Sequence, residues 1–163
     1  MVLEIIIILT LVIVAALVVN NIEDYLKTKN KISFKESMDL AELPVITFYQ
    51  ENEKFNFLLD TGSNDSHICA EAAKRIKGTS QPETRSIQGI GGETLIENSI
   101  NTTINYKTQK YKINLLIGEH LNEAFKAIKE TTGVQVHGLI GNRFLSDNKY
   151  TLDFKELVAY SKN

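Results

Sequence analysis

Cysteine is nearly missing from this sequence: Cys69 is the single one in 163 residues. That excludes an intramolecular disulfide framework and any zinc site built from several thiolates. Placed directly after Ile68, Cys69 reads as a small buried apolar residue. Basic excess is missing too. The formal net charge is −2, and no stretch interleaves Lys or Arg with aromatic residues, so nucleic acid is not an expected partner. The three histidines, His67, His120 and His137, are scattered without HExxH spacing; no metal and no organic cofactor is expected. Nothing in the sequence sets out a Ser-His-carboxylate arrangement around Ser63 or Ser66, so a serine-hydrolase reading has no support. What is present is ordinary for a folded chain, 43% hydrophobic and 23% charged residues, enough for one globular domain and an appendage.

The appendage is the run Val2 to Val19, almost continuously apolar, broken by Glu4 and Thr10. As a helix it would span about 27 Å, close to the ~30 Å hydrocarbon thickness of a bilayer. No Lys or Arg precedes it and no A-x-A site follows, so a cleaved signal peptide fits poorly. Residues 1–20 are therefore expected to be a single transmembrane anchor. Lys27, Lys29, Lys31 and Lys35 follow it, which by the positive-inside rule puts the rest of the chain on the cytoplasmic side of the membrane. Residues 21–42 are polar and charge-mixed, a tether with one candidate strand near Lys31–Phe34. Residues 43–163 form the folded domain.

Within that domain one stretch organises the rest. Phe55-Asn56-Phe57-Leu58-Leu59 is an aromatic and aliphatic strand that runs straight into Asp60. Thr61 offers a hydroxyl to neighbouring backbone, and Gly62 permits a close approach that a side chain would forbid. Ser63, Asn64 and Asp65 complete a sharp turn before Ser66-His67-Ile68. A carboxylate fixed at the end of a buried strand is suited to catalysis, whereas a plain strand-ending turn is the other reading.

Asp60-Thr61-Gly62-Ser63, with an apolar strand before it and Ser66-x-Ile68 after it, resembles the active-site loop of retropepsin-type aspartic proteases. Gly89-Ile90-Gly91-Gly92 resembles the glycine-rich flap of that family. Gly138-Leu139-Ile140-Gly141-Asn142-Arg143-Phe144-Leu145 resembles the apolar-apolar-Gly motif that supports the active-site loop from beneath. The three stand in the family's order across roughly Leu43 to Tyr160. The resemblance implies a mainly β fold, a closed acid-protease β-barrel with short helices, here preceded by the N-terminal transmembrane helix. It also implies catalytic roles for Asp60, Thr61 and Gly62, and substrate contacts for Ser63, Ile90, Gly91 and Gly92.

The remaining pattern is mostly strand. Leu43–Phe48 and Phe55–Leu59 flank a polar turn, with Pro44 suited to the entry of an edge strand. Ala70–Lys77 reads as a short helix with Gly78 as its C-terminal cap. Thr79–Thr84, containing Pro82, reads as a loop. Arg85–Gln88 and Thr94–Glu97 read as the arms of the glycine-rich hairpin, which lacks the Lys-Ser/Thr of a phosphate cradle. Ile100–Tyr106 alternates with period two and Tyr111–Ile117 returns. Leu121, Ala124, Phe125 and Ile128 mark one face of a helix over Glu119–Glu130 that Gly133 stops. Val134–Ile140 is a strand, the resemblance implies that Asn142–Leu145 starts a short helix, and Tyr150–Phe154 with Leu157–Tyr160 forms a last hairpin.

Peptide hydrolysis by carboxylates needs two of them, one ionised to activate water and one protonated to polarise the carbonyl. The chain has one Asp-Thr-Gly; Asp65 lacks that context, and Asp153 lies in a Leu-Asp-Phe strand facing solvent. The resemblance implies that a second copy supplies the other carboxylate in a two-fold homodimer, Asp60 of each chain at the axis. The Ser63 hydroxyl is expected to donate to the aspartate and favour its ionised form, which makes the optimum more acidic. Ser66 is expected to brace the loop. Three functions follow: a membrane-anchored homodimeric aspartic endopeptidase acting on a peptide or protein substrate, a peptide-binding or assembly module on the same fold, or a tethered scaffold whose helix recruits a partner through Phe125.

Overall fold

The computed structural model describes residues 2–29, 31–89 and 92–161. In chain order the first elements are α1 (Val2–Lys29), β1 (Lys31–Ser33), α2 (Lys35–Ala41), β2 (Val45–Gln50), β3 (Glu53–Leu59), β4 (Ser66–Cys69) and α3 (Ala70–Ala73). Then come β5 (Gly78–Gly89), β6 (Gly92–Tyr106), β7 (Gln109–Gly118), α4 (Leu121–Thr132), β8 (Gly138–Ile140), α5 (Asn142–Asp147), β9 (Tyr150–Asp153) and β10 (Val158–Ser161).

Seven strands share one sheet in the order β2-β3-β8-β4-β7-β6-β5, and β2 meets β6 again at Tyr49↔Asn105. That return contact closes the sheet on itself, as the expected barrel requires. β3 lies antiparallel to β2 and parallel to β8, with Leu59 opposite Ile140. The strand read over Phe55–Leu59 forms, with Phe55, Phe57 and Leu59 buried while Asn56 and Leu58 are only partly so. Phe48 is the hub of the core. It is fully buried and meets Phe57, Tyr106, Tyr111 and Phe144 edge-on, with ring centroids 5.8 to 6.1 Å apart. Edge-to-face packing suits the ring quadrupoles and ties β2, β3, β6, β7 and α5 at one point.

The described residues overturn the membrane expectation for 1–20. No helix among them is long and apolar enough to cross a membrane, which removes the single-pass localisation, the membrane partner and the orientation drawn from the lysines. α1 covers 28 residues, but it turns polar at Asn20 and Asn21.

Other differences are local. Residues 31–41, read as tether apart from one strand, carry β1 and α2. β1 pairs with β10, and Ile32 and Phe34 are each 1% exposed; two apolar side chains suffice to dock the segment. The helix after Cys69 stops at Ala73 rather than Lys77. Gly78 is not its cap but the first residue of β5, where a Cβ would lie 2.6 Å from the Asn101 carbonyl oxygen. Thr79–Thr84 is strand rather than loop. β5 is the last strand of the sheet, so Pro82 costs no second partner a hydrogen bond; the pairing is irregular between Pro82 and Arg85. Of Val134–Ile140, only β8 is strand. The 119–130 helix forms as α4 and ends at Gly133, whose N–H donates to the Lys129 carbonyl at 2.8 Å. Its Leu121 and Phe125 are buried, so the face proposed to recruit a partner packs into the core. Cys69 is buried and free, as expected.

Candidate active site

β3 carries Asp60 to the edge of the barrel, and the backbone there is fastened from both sides. The Asp60 N–H donates to the Ile140 carbonyl at 3.0 Å, extending the β3–β8 ladder by one residue. The Ser63 N–H donates to the Asp60 carbonyl at 3.2 Å and closes the turn. Within it, the Gly62 N–H donates to Asp60 Oδ1 at 2.9 Å, a charge-assisted bond that fixes the carboxylate plane.

The turn is also locked to α5. The first N–H groups of a helix have no partner within it, and α5 has no side-chain cap. The loop supplies backbone acceptors instead: the Asn142 N–H donates to the Ser63 carbonyl at 2.8 Å and the Arg143 N–H to the Asn64 carbonyl at 2.9 Å. The Asn142 Nδ2 donates to the Thr61 carbonyl at 2.7 Å. Loop and helix thus satisfy one another's backbone. Gly141 makes the approach possible, since a Cβ there would sit 2.3 Å from the Asp65 carbonyl oxygen. Ser66 braces the loop as expected, its buried Oγ accepting the Gly141 N–H at 3.1 Å. Ser63 does not do what was expected of it. Its hydroxyl donates to the Asp65 carbonyl at 2.8 Å, and a hydroxyl has one proton to give.

Asp60, Gly62 and Ser63 line one cavity of about 1210 Å³, together with His67, Arg85 and His120. Thr61 contributes its backbone carbonyl rather than a wall. β5 and β6 form the hairpin above, Gly89 pairing with Gly92, and Gly92 has φ +109°, a conformation that favours glycine. Ile90 and Gly91 lie outside the described residues.

Arg85 and Arg143 were not singled out by sequence. Arg85 Nη1 meets Asp65 Oδ2 at 2.6 Å and Arg143 Nη1 meets Asp65 Oδ1 at 3.0 Å. Asp65 therefore bridges the hairpin and α5 beside the Asp60 turn. Only the fold brings these three side chains together, so no local motif announces them. Asp153 has a structural use: its Oδ1 accepts the N–H groups of Lys155 and Glu156, each at 3.0 Å, in the turn between β9 and β10.

The histidines divide. His137 Nδ1 accepts the Asn56 N–H at 2.9 Å, and burial, with Arg75 and Lys129 nearby, pushes its pKa down to about 4. His67 is 4% exposed. Burial and then His120 lower its pKa, while Asp65 and Asp60 oppose the shift. Among the described residues no group of three or more His, Cys, Asp or Glu side chains is placed to hold a metal ion.

Known proteins bear on this geometry directly. No curated protein matches the chain. Among solved structures, the EIAV protease in complex with the inhibitor HBY-793 matches with a TM-score of 0.50 and 24% identity, covering 71% of this chain and 97% of that one. At that identity the likeness is one of fold, and it is to a retropepsin-like β fold. The family model described as aspartyl protease matches residues 46–144, from β2 through the Asp60 turn and the hairpin to the first turn of α5. That match takes in more than half of the sequence: the chain belongs to the aspartyl protease family and is an aspartic endopeptidase.

Proposed function

We propose that Asp60 is the catalytic carboxylate and that the enzyme works as a homodimer, each chain giving one Asp60 and one hairpin. The observation that carries this is the turn itself. Asp60 faces a large cavity, its carboxylate is fixed by the Gly62 N–H, and α5 holds its backbone. The chain has a single Asp-Thr-Gly, and one carboxyl does half of the work. In the dimer the two Asp60 carboxyls share one proton, because both ionise only at high cost at short range. The ionised one takes a proton from water, whose oxygen attacks the peptide carbonyl. The protonated one donates to the carbonyl oxygen, and collapse of the tetrahedral intermediate returns protons to the pair and to the departing amine. Thr61 and Gly62 shape the turn. Ser63, Ile90, Gly91 and Gly92 meet the extended substrate, the hairpin closing over it as a cover. We take residues 43–163 as the protease domain, with β1 and α2 packed on it.

The test is cleavage of a diverse peptide library by the full chain, with Asp60→Asn as the paired variant and sedimentation recorded alongside. Turnover that scales with dimer population and drops on the order of 10³-fold in Asp60→Asn is expected. Equal turnover by the variant, or full activity from a monomer, defeats the reading.

A further inference from the structure

His67 occupies an unusual place in the cavity. It lies in the middle of the sheet, opposite Leu116 of β7 on one side and Leu139 of β8 on the other. Its surroundings are those of a core aliphatic residue, and it is 4% exposed. Yet its Nδ1 has no hydrogen-bond partner in the structure. A buried polar nitrogen without a partner is destabilising, and core positions rarely keep one without a use. His67 also lines the cavity that contains Asp60.

His120 enters that cavity from the turn before α4. Its side chain is exposed, and its ring lies against Gly118, where a Cβ would fall 2.8 Å from Cε1. The other charged groups lining the cavity are Asp60 beyond β3, Asp65 before β4, Arg85 on β5 and Arg143 on α5. Asp65 is paired by both guanidinium groups. Two cations against that one carboxylate leave the end of the cavity beside Asp65 short of negative charge.

We propose that His67 and His120 form a subsite that selects an acidic side chain, aspartate or glutamate, in the bound peptide. This rests on the peptidase reading of the cavity. A carboxylate on the cavity side of the two residues accepts hydrogen bonds from their imidazoles and favours the protonated form of an imidazole it meets. In the free chain burial, and then His120, lower the His67 pKa, with Asp65 and Asp60 opposing them. The incoming carboxylate adds to the pull of those two. Selection is then strongest at mildly acidic pH, where the peptide side chain is ionised and an imidazole readily takes a proton, and fades as the pH rises.

The experiment uses the full chain and peptide pairs identical except for Glu or Gln at one position, scanned along a cleaved sequence. One arm measures kcat/KM; the other measures binding of the same peptides to Asp60→Asn by fluorescence anisotropy, which needs no turnover. At one position, Glu is expected to exceed Gln about tenfold at pH 5.5 and to fall to near parity by pH 8. The ratio removes any pH effect common to both peptides, including that of the Asp60 pair. His120→Gln, at an exposed position, should bring the ratio within about twofold of parity, and His67→Phe should do the same. Equal treatment of Glu and Gln in both arms overturns the proposal. So does a Glu preference that survives both substitutions, which would assign it to Arg85 and Arg143. Absence of turnover with the binding preference intact refutes the peptidase reading and keeps the subsite; absence of any binding overturns the subsite as well.

Discussion

The Asp60 turn and the β5–β6 hairpin line one cavity and are built in opposite ways. In the turn, eight of the twelve backbone N–H and C=O groups from Asp60 to Asp65 have a named partner in β8, in α5 or within the turn itself. In the hairpin, β5 is a sheet edge paired with β6 alone, and most residues of 81–98 are exposed or partly so. Leu95 there is 59% exposed. Reacting groups must hold position to a fraction of an ångström, whereas a cover must move to admit a chain. Arg85 is the described ion pair between the two, through Asp65.

The largest effect is expected where the turn and α5 touch. Gly141→Ala puts a methyl 2.3 Å from the Asp65 carbonyl oxygen, and the neighbour is backbone that cannot step aside. A loss of about 3 kcal/mol in chemical denaturation is expected, with a matching loss of activity. The hairpin control, Leu95→Ser, should change stability by less than ~0.5 kcal/mol. If the two variants unfold alike, the contrast between a locked turn and a loosely held cover is wrong.

The next effect is in the pH dependence of the frame behind the turn. His137 Nδ1 accepts a backbone N–H from β3, which only the unprotonated nitrogen does. Its pKa is lowered from 6.5 to about 4 on folding, so between those values the unfolded chain binds more protons than the folded one. The stability this protects is complete above pH 6.5 and is lost as pH falls through 4, on the order of 2 kcal/mol. Thermal midpoints from pH 4 to 7.5 should show that slope, and His137→Asn should flatten it. A wild-type curve without the slope would dismiss this role.

Smaller still is Arg85→Met. An ion pair with an arginine 40% exposed contributes under ~1 kcal/mol to stability, so the thermal midpoint should scarcely move. Because the pair joins cover to turn, kcat/KM should fall several-fold, and the wild type's sensitivity to salt in peptide cleavage should weaken. A large stability loss with unchanged kinetics would make Arg85 a structural strut instead.

What was legible in the sequence was what is local. Phe55–Leu59 runs into Asp60 within a few residues, and the Gly138–Leu145 stretch is continuous, so both strand and support could be read. Ser66 as a brace followed from its place beside the turn. Arg85, Arg143 and Asp65 were not legible as a unit, because their contact exists only once β5 and α5 are both brought to Asp65. Thr79–Thr84 was misread because Pro82 excludes a central strand but not an edge one. Residues 31–41 looked like a tether because composition averages away two buried side chains, Ile32 and Phe34. The apolar run of 1–20 misled in the opposite direction: no helix among the described residues is long and apolar enough to cross a membrane.

Ser63 gives the finest probe of the comparison, because its identity was legible and its bond was not. Next to Asp60 in sequence, its hydroxyl had an obvious acceptor in the carboxylate. The turn instead aims that proton at the Asp65 carbonyl 2.8 Å away, while the carboxylate takes its bond from the Gly62 N–H. Ser63→Ala should then cost about 0.5 kcal/mol as a loosened turn and leave the pH profile of cleavage where it was. An upward move of the acidic limb by about half a unit or more would mean that the hydroxyl serves the ionised carboxylate during catalysis. The turn would then have a second arrangement, and the rigidity ascribed to it would belong only to the unliganded chain.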